Sequence, residues 1–151
     1  MEPLTALLAG AALHAGFQAV VTVVVHPALA ATAAHEWPRV HAAHSRRTTP
    51  VVALVYLVVL GTWAWVLAAR PLTGWLVLAG AGSALAGAVT ALVAGPTHAR
   101  LGREGPRPAL LRRLRRADAV RLAGAVLALA GATGAVFDRP LTARPGAVSE
   151  M

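Results

Sequence analysis

The chain has 151 residues, 57% of them hydrophobic and only 13% charged, with a formal net charge of +8. An ordinary soluble domain carries about 25% charged residues, so this composition excludes one, and the basic excess falls in short runs between apolar stretches, which reads as membrane topology rather than a nucleic-acid-binding surface. No cysteine is present, which excludes disulfides, thiolate metal ligands and a cysteine nucleophile.

Four stretches without Asp, Glu, Lys or Arg lie between Glu2 and Glu36, Arg47 and Arg70, Arg70 and Arg100, and Arg121 and Asp138. About 20 apolar residues cross the roughly 30 Å of hydrocarbon in a bilayer at 1.5 Å rise per residue. The first three stretches clear that length; the fourth is short, so its helix must begin near Ala117. The segments are too long for a signal peptide, and they lack the alternation of a transmembrane barrel. The expected fold is all-α, a four-transmembrane-helix up-down-up-down bundle over residues 1–138, with a flexible C-terminal tail at 139–151.

The first span is expected over about 4–30, with Pro3 in its first turn and Pro27 kinking or ending the helix late. A His- and Arg-rich approach segment follows, with Trp37 at the membrane interface, and leads through Pro50 into a span at 50–69. The third span is expected over 72–95, where Gly80, Ser83 and Gly87 would let helices approach closely, and Gly95-Pro96 would break it. Gly102 to Pro108 is expected as a loop and Ala109 to Arg116 as a short basic amphipathic segment against phosphate head groups. The fourth span is expected over 117–137. Arg39, Arg46 and Arg47 lie between spans one and two, and Arg100 to Arg116 between spans three and four. By the positive-inside rule both loops are cytoplasmic and both termini are not, in a cytoplasmic (inner) membrane.

This threading brings the polar residues of four span ends together. His26 closes span one, His41 and His44 precede span two with Arg46 and Arg47, His98 closes span three, and Asp118 and Arg121 open span four. His14, Gln18, Thr22 and His26, spaced by four, form a polar stripe whose drift is only about 40° per step, and such a stripe lines a cavity or marks a site. The expected pocket is lined by His14, Gln18 and Thr22 and opens at the cytoplasmic face. His26, His41, His44 and His98 are candidate metal ligands, with iron or copper favoured by imidazole and carboxylate donors. His26, His98, Asp118, Arg121 and Arg47 are candidate catalytic residues. The plainer readings stay open: His14 as a core histidine, Gln18 and Thr22 as interhelical hydrogen-bonding groups, His41 and His44 as interfacial residues, and Asp118 with Arg121 as a structural i, i+3 pair.

Four motifs carry a family resemblance: Ala15-Gly16-Phe17 followed by His26-Pro27-Ala28-Leu29; His44-Ser45-Arg46-Arg47-Thr48-Thr49-Pro50; Pro96-Thr97-His98-Ala99-Arg100-Leu101; and Asp118-Ala119-Val120-Arg121. In their order and placement, over about residues 10–135, the chain resembles the anthrone-oxygenase-like group of four-helix membrane proteins, a domain of unknown function in most bacterial members. His98 and Asp118 stand where many relatives have Asn. The resemblance implies an oxygenase-type oxidoreductase acting on a small hydrophobic, aromatic substrate in contact with the lipid bilayer. Two alternatives remain: a non-enzymatic scaffold, transport accessory or partner-binding subunit, and a haem-binding bundle using His26 and His98. Whether copies associate as a homo-oligomer is left open by the sequence.

Overall fold

The computed structural model describes residues 1–138; the expected tail at 139–151, with Arg139 and Arg144, lies outside the described residues. Four helices are long and apolar enough to cross a membrane: α1 (Pro3–Ala30), α2 (Trp37–Ala69), α3 (Gly74–Glu104) and α4 (Pro108–Phe137). No strand occurs among the described residues. The chain is an all-α integral membrane protein. Its waist is covered by exposed aliphatic side chains, among them Val23, Val24, Leu54, Leu57, Leu60, Val77 and Leu92. Water would penalise such a surface, but a bilayer accommodates it.

At 1.5 Å per residue, helices of 28 to 33 residues measure about 42–50 Å and overrun the hydrocarbon layer at their ends. This is why several expected boundaries differ from the observed ones. Pro27 neither ends α1 nor interrupts it, and Gly95-Pro96 does not break α3. In each case a π-turn, Val21–Val25 or Thr90–Ala94, comes just before the proline. The His26 N–H reaches back to the Val21 carbonyl, and the Gly95 N–H to the Thr90 carbonyl, one residue farther than in an α-helix. Proline has no N–H to give and its ring crowds the carbonyl four residues back; a wider turn meets both demands and lets the helix continue. The expected loop at Gly102 to Pro108 shrinks to three residues around Gly105, whose φ of 79° is the left-handed geometry glycine adopts readily. The basic segment and span four form one continuous helix from Pro108.

Around the bundle α2 packs on α1, α1 on α4, and α4 most extensively on α3. The α3–α4 seam is backbone on backbone. A Cβ added at Gly82 would lie 2.5 Å from the Ala128 nitrogen and the Gly124 carbonyl oxygen. Ala79 and Ala86 are buried beside it, as are Gly124, Ala125, Ala128, Gly131 and Ala132 on α4. Gly80, Ser83 and Gly87, expected to form the close contact, instead face α2, because they lie on a different side of α3 from Gly82. There Trp63 packs near Gly80 and donates to the Ser83 hydroxyl at 3.1 Å, and Tyr56 lies against Gly87.

One end of the bundle closes on Leu4, Leu7, Ala11, Val66, Leu76 and Ala132, with an Arg70–Glu2 ion pair at its edge. Trp65 and Trp75 are exposed there, whereas Trp63 is partly buried. The other end is held by Leu29, Trp37, Ala94, Leu101, Leu110, Leu114 and Ala117. Trp37 is not an interfacial anchor: it is 1% exposed, and its indole N–H donates to the Leu101 carbonyl at 3.0 Å. Its ring fixes the start of α2 against α3, which sets the position of the histidines that follow.

Candidate metal centre and cavity

All four helices deliver side chains to one place. His26 comes from α1, His44 from α2, His98 from α3, and Asp118 with Arg121 from α4. One ring nitrogen from each of His26, His44 and His98 lies within 4.8 Å of the others, a spacing suited to a shared metal ion. The ring centroids of His26 and His98 are 5.3 Å apart, those of His44 and His98 5.8 Å, and those of His26 and His44 6.3 Å.

The π-turns account for much of this convergence. From His14 to His26 is twelve residues, or about 120° of drift on a regular α-helix. A π-turn inserts one residue and takes back about 100°, so His26 returns to within about 20° of His14. From Thr90 to His98 the eight residues drift about 80°, and the second π-turn again leaves about 20°. Each wide turn thus sets a histidine below it on the polar face above it.

Outer partners orient two of the three rings. The Asp118 carboxylate accepts from His26 Nδ1, which leaves Nε2 as the open nitrogen. Arg121 donates to the other Asp118 oxygen at 3.0 Å. All three residues are buried, so the arginine balances the carboxylate where water cannot. The His44 Nδ1 is 3.3 Å from the Thr48 hydroxyl one turn along α2. A carboxylate or hydroxyl on the far nitrogen is the usual arrangement around a ligating histidine, since it fixes the tautomer and aims the ring.

His41 stands apart from the trio. Its ring stacks on Trp37 at 5.2 Å between centroids, and it lies 5.8 Å from the His98 ring. It is buried, and its Nε2 has no hydrogen-bond partner among the described residues. It lines the site without joining the three converging nitrogens. Arg47 and His35 are exposed and contribute nothing to the site. Arg47 follows His44 by three residues, but it is exposed and does not line the cavity, whereas Arg121 does.

The histidines form the polar wall of a cavity of about 450 Å³ between α2 and α3. Val21, Val52, Ala94, Ala99 and Gly102 supply much of the remainder. Thr49, Gly95 and Ala99 on its lining are exposed, so the cavity opens on the flank of the bundle. Deeper in, His14 and Gln18 are fully buried, and Gln18 donates to the Thr22 hydroxyl at 3.3 Å. His14 touches the Tyr56 ring edge-on at 5.2 Å, and the Tyr56 and Thr90 hydroxyls bond at 2.6 Å. Thr90 lines the cavity, whereas His14, Gln18 and Thr22 do not; they form the polar core behind it.

Sequence reasoning singled out His26, His44, His98, Asp118 and Arg121 but not Thr48, Tyr56 or Thr90. Thr48 was findable as the i+4 neighbour of His44. Tyr56 and Thr90 depend on a helix pairing that no local pattern encodes. Comparisons with protein-family models, curated proteins and solved structures return no match.

Proposed function

We propose that this protein is a metal-dependent membrane oxidoreductase that oxidises a small apolar, ring-bearing substrate. The observation that carries the reading is the three-histidine convergence on the wall of an otherwise largely apolar cavity. Three neutral nitrogen donors with positions left open is the pattern of a catalytic rather than a structural metal site. Without thiolates, and with imidazole donors backed by a carboxylate, the set suits iron or copper. When bound, such a metal supplies the redox step, with dioxygen as the oxidant.

The chain's own residues do the rest. The gap between α2 and α3 admits an apolar molecule sideways from the bilayer, and the aliphatic lining holds it. His41, with its Nε2 unpartnered beside the cavity, takes the proton from an acidic C–H or phenol. Arg121 lines the cavity, and its Nε–H has no partner among the described residues. It stabilises the enolate or phenolate that results. Asp118 holds both His26 and Arg121 in place. This is also the chemistry implied by the resemblance to the anthrone-oxygenase-like group. The basic end carrying the site is cytoplasmic in this reading, and both termini are on the opposite side.

The haem alternative is disfavoured by crowding, because His44 packs against both His26 and His98 and leaves no space for a macrocycle between them. Metal analysis of the purified protein tests the reading. One iron or copper per chain is expected, lost in His26→Ala, His44→Ala and His98→Ala but kept in His35→Ala. With metal bound, dioxygen uptake on an anthrone or hydroquinone substrate should fall at least tenfold in His41→Gln at unchanged metal content. A metal-free wild-type protein that cannot be loaded would leave a scaffold or partner-binding subunit as the better account.

A further inference from the structure

A second groove of about 500 Å³ lies on the opposite flank of α3, between α3 and α4. Val89 and Val93 of α3 face Ala109, Ala117 and Val120 of α4 across it, and Arg112, Arg113 and Arg116 stand at one end. On a helix these three arginines fall within about 100° of one another, and Val120 lies inside the same arc. The apolar floor and the charged end therefore belong to one continuous face. Among the described residues no acidic side chain lines the groove. The nearby carboxylate is already committed: Glu104 pairs with Arg100 at 2.8 Å and with Arg107 at 3.3 Å. Among the described residues no carboxylate pairs with Arg112, Arg113 or Arg116.

We infer that this groove binds one anionic phospholipid, its phosphate held by Arg112, Arg113 and Arg116 and an acyl chain lying along Val89, Val93 and Val120. The match is one of shape and charge together. A helix surface at the membrane boundary with cations above and an aliphatic trough below fits a molecule with a phosphate above and a hydrocarbon chain below. A soluble anion would use the arginines and leave the trough unfilled; a zwitterionic lipid would fill the trough and forgo the net charge. The groove has a bearing on the other flank too. Val89 and Val93 adjoin Thr90 and Ala94, which line the histidine cavity, and Ala117 and Val120 adjoin Asp118 and Arg121. A lipid seated here braces the two helices that carry His98 and Asp118.

Native mass spectrometry of the full chain in mild detergent, titrated with phosphatidylglycerol, tests this. A single saturable adduct is expected, and phosphatidylcholine should bind at least tenfold more weakly. Arg112→Gln/Arg113→Gln/Arg116→Gln should weaken phosphatidylglycerol roughly 100-fold, at about 1 kcal/mol per arginine. Arg39→Gln/Arg46→Gln/Arg47→Gln removes the same charge from α2 and should change it by less than about threefold, since those side chains lie outside the groove. Val120→Phe, which fills the trough and keeps every charge, should also block the adduct, and it decides the matter if the arginine variant fails to fold. Equal binding of the two lipids, equal loss in the α2 variant, or displacement by inorganic phosphate at comparable concentration would overturn the assignment. Metal content of the same samples is a separate readout, so this site and the histidine site stand or fall independently.

Discussion

The two flanks of α3 meet their neighbours by opposite rules. Toward α4 it presents Gly82, Ala79 and Ala86, and the backbones touch. Toward α2 it presents Ser83, Gly87 and Thr90, and the distance is bridged by the aromatic side chains of Trp63 and Tyr56. In lipid no hydrophobic force drives helices together, so close packing of small residues is what holds a seam shut. Where aromatic rings stand between the helices the gap persists, and beyond them toward the histidine end it widens into the cavity. The seam at Gly82 is shut along the middle of α3, and both flanks open toward the histidine end, as the cavity toward α2 and the groove toward α4.

The most damaging change should be to the charge that joins the two halves. Asp118→Ala leaves Arg121 buried with no counter-charge, and breaking such a pair costs about 3–5 kcal/mol. Unfolding in mixed detergent should show the loss even in metal-free protein. If Asp118→Ala is as stable as wild type, Arg121 is not held as described. The seam comes next. Gly82→Ala drives a methyl into the α4 backbone, which must move, at about 1–3 kcal/mol. Gly87→Ala meets only the Tyr56 ring at 3.9 Å and should cost less than about 0.5 kcal/mol. Equal effects at the two glycines would mean that the flanks do not differ as proposed.

The π-turn in α1 offers a change that should spare the fold and disable the site. Val24 is exposed to lipid within that turn. Inserting one alanine after it adds a residue beyond the one the wide turn already absorbs, and rotates His26 by about 100° relative to His14, away from Asp118. Helical content by circular dichroism should be unchanged while metal affinity falls at least 100-fold. Retained affinity would show that the register of His26 on α1 does not set the site.

The four spans were legible because the length and apolarity of a membrane helix are written locally, and the convergence of His26, His44, His98 and Asp118 followed from threading alone. Three features were not legible, for related reasons. The prolines at 27 and 96 suggested broken helices, because local rules price the missing N–H without the wide turn that compensates for it. Trp37 suggested an interfacial anchor, because its hydrogen-bond partner, the Leu101 carbonyl, lies 64 residues away. Gly82 does not stand out from Gly80, Ser83 and Gly87 in the sequence, because composition marks small residues without saying which side of the helix meets which neighbour. The last two misses concern a long-range partner.

The smallest effect tests the finest part of the comparison, the outer support of the site on the open flank. Thr48 lies one turn from His44, with its hydroxyl at 3.3 Å from Nδ1. It makes no contact across the tight seam. Thr48→Val keeps the shape and removes the hydroxyl, so stability should change by no more than about 1 kcal/mol. The His44 ring would lose the group that fixes its tautomer, and a partner of this kind is typically worth about 10- to 100-fold in metal affinity. A neutral threonine should fall at the low end, near tenfold, and Thr48→Ser should restore most of it. Asp118 cannot separate orientation from stability, because it also carries the charge of Arg121. Thr48 can, since among the three histidines it bonds only His44 and it carries no charge, and a threonine variant with wild-type affinity would mean that His44 is aimed by packing alone.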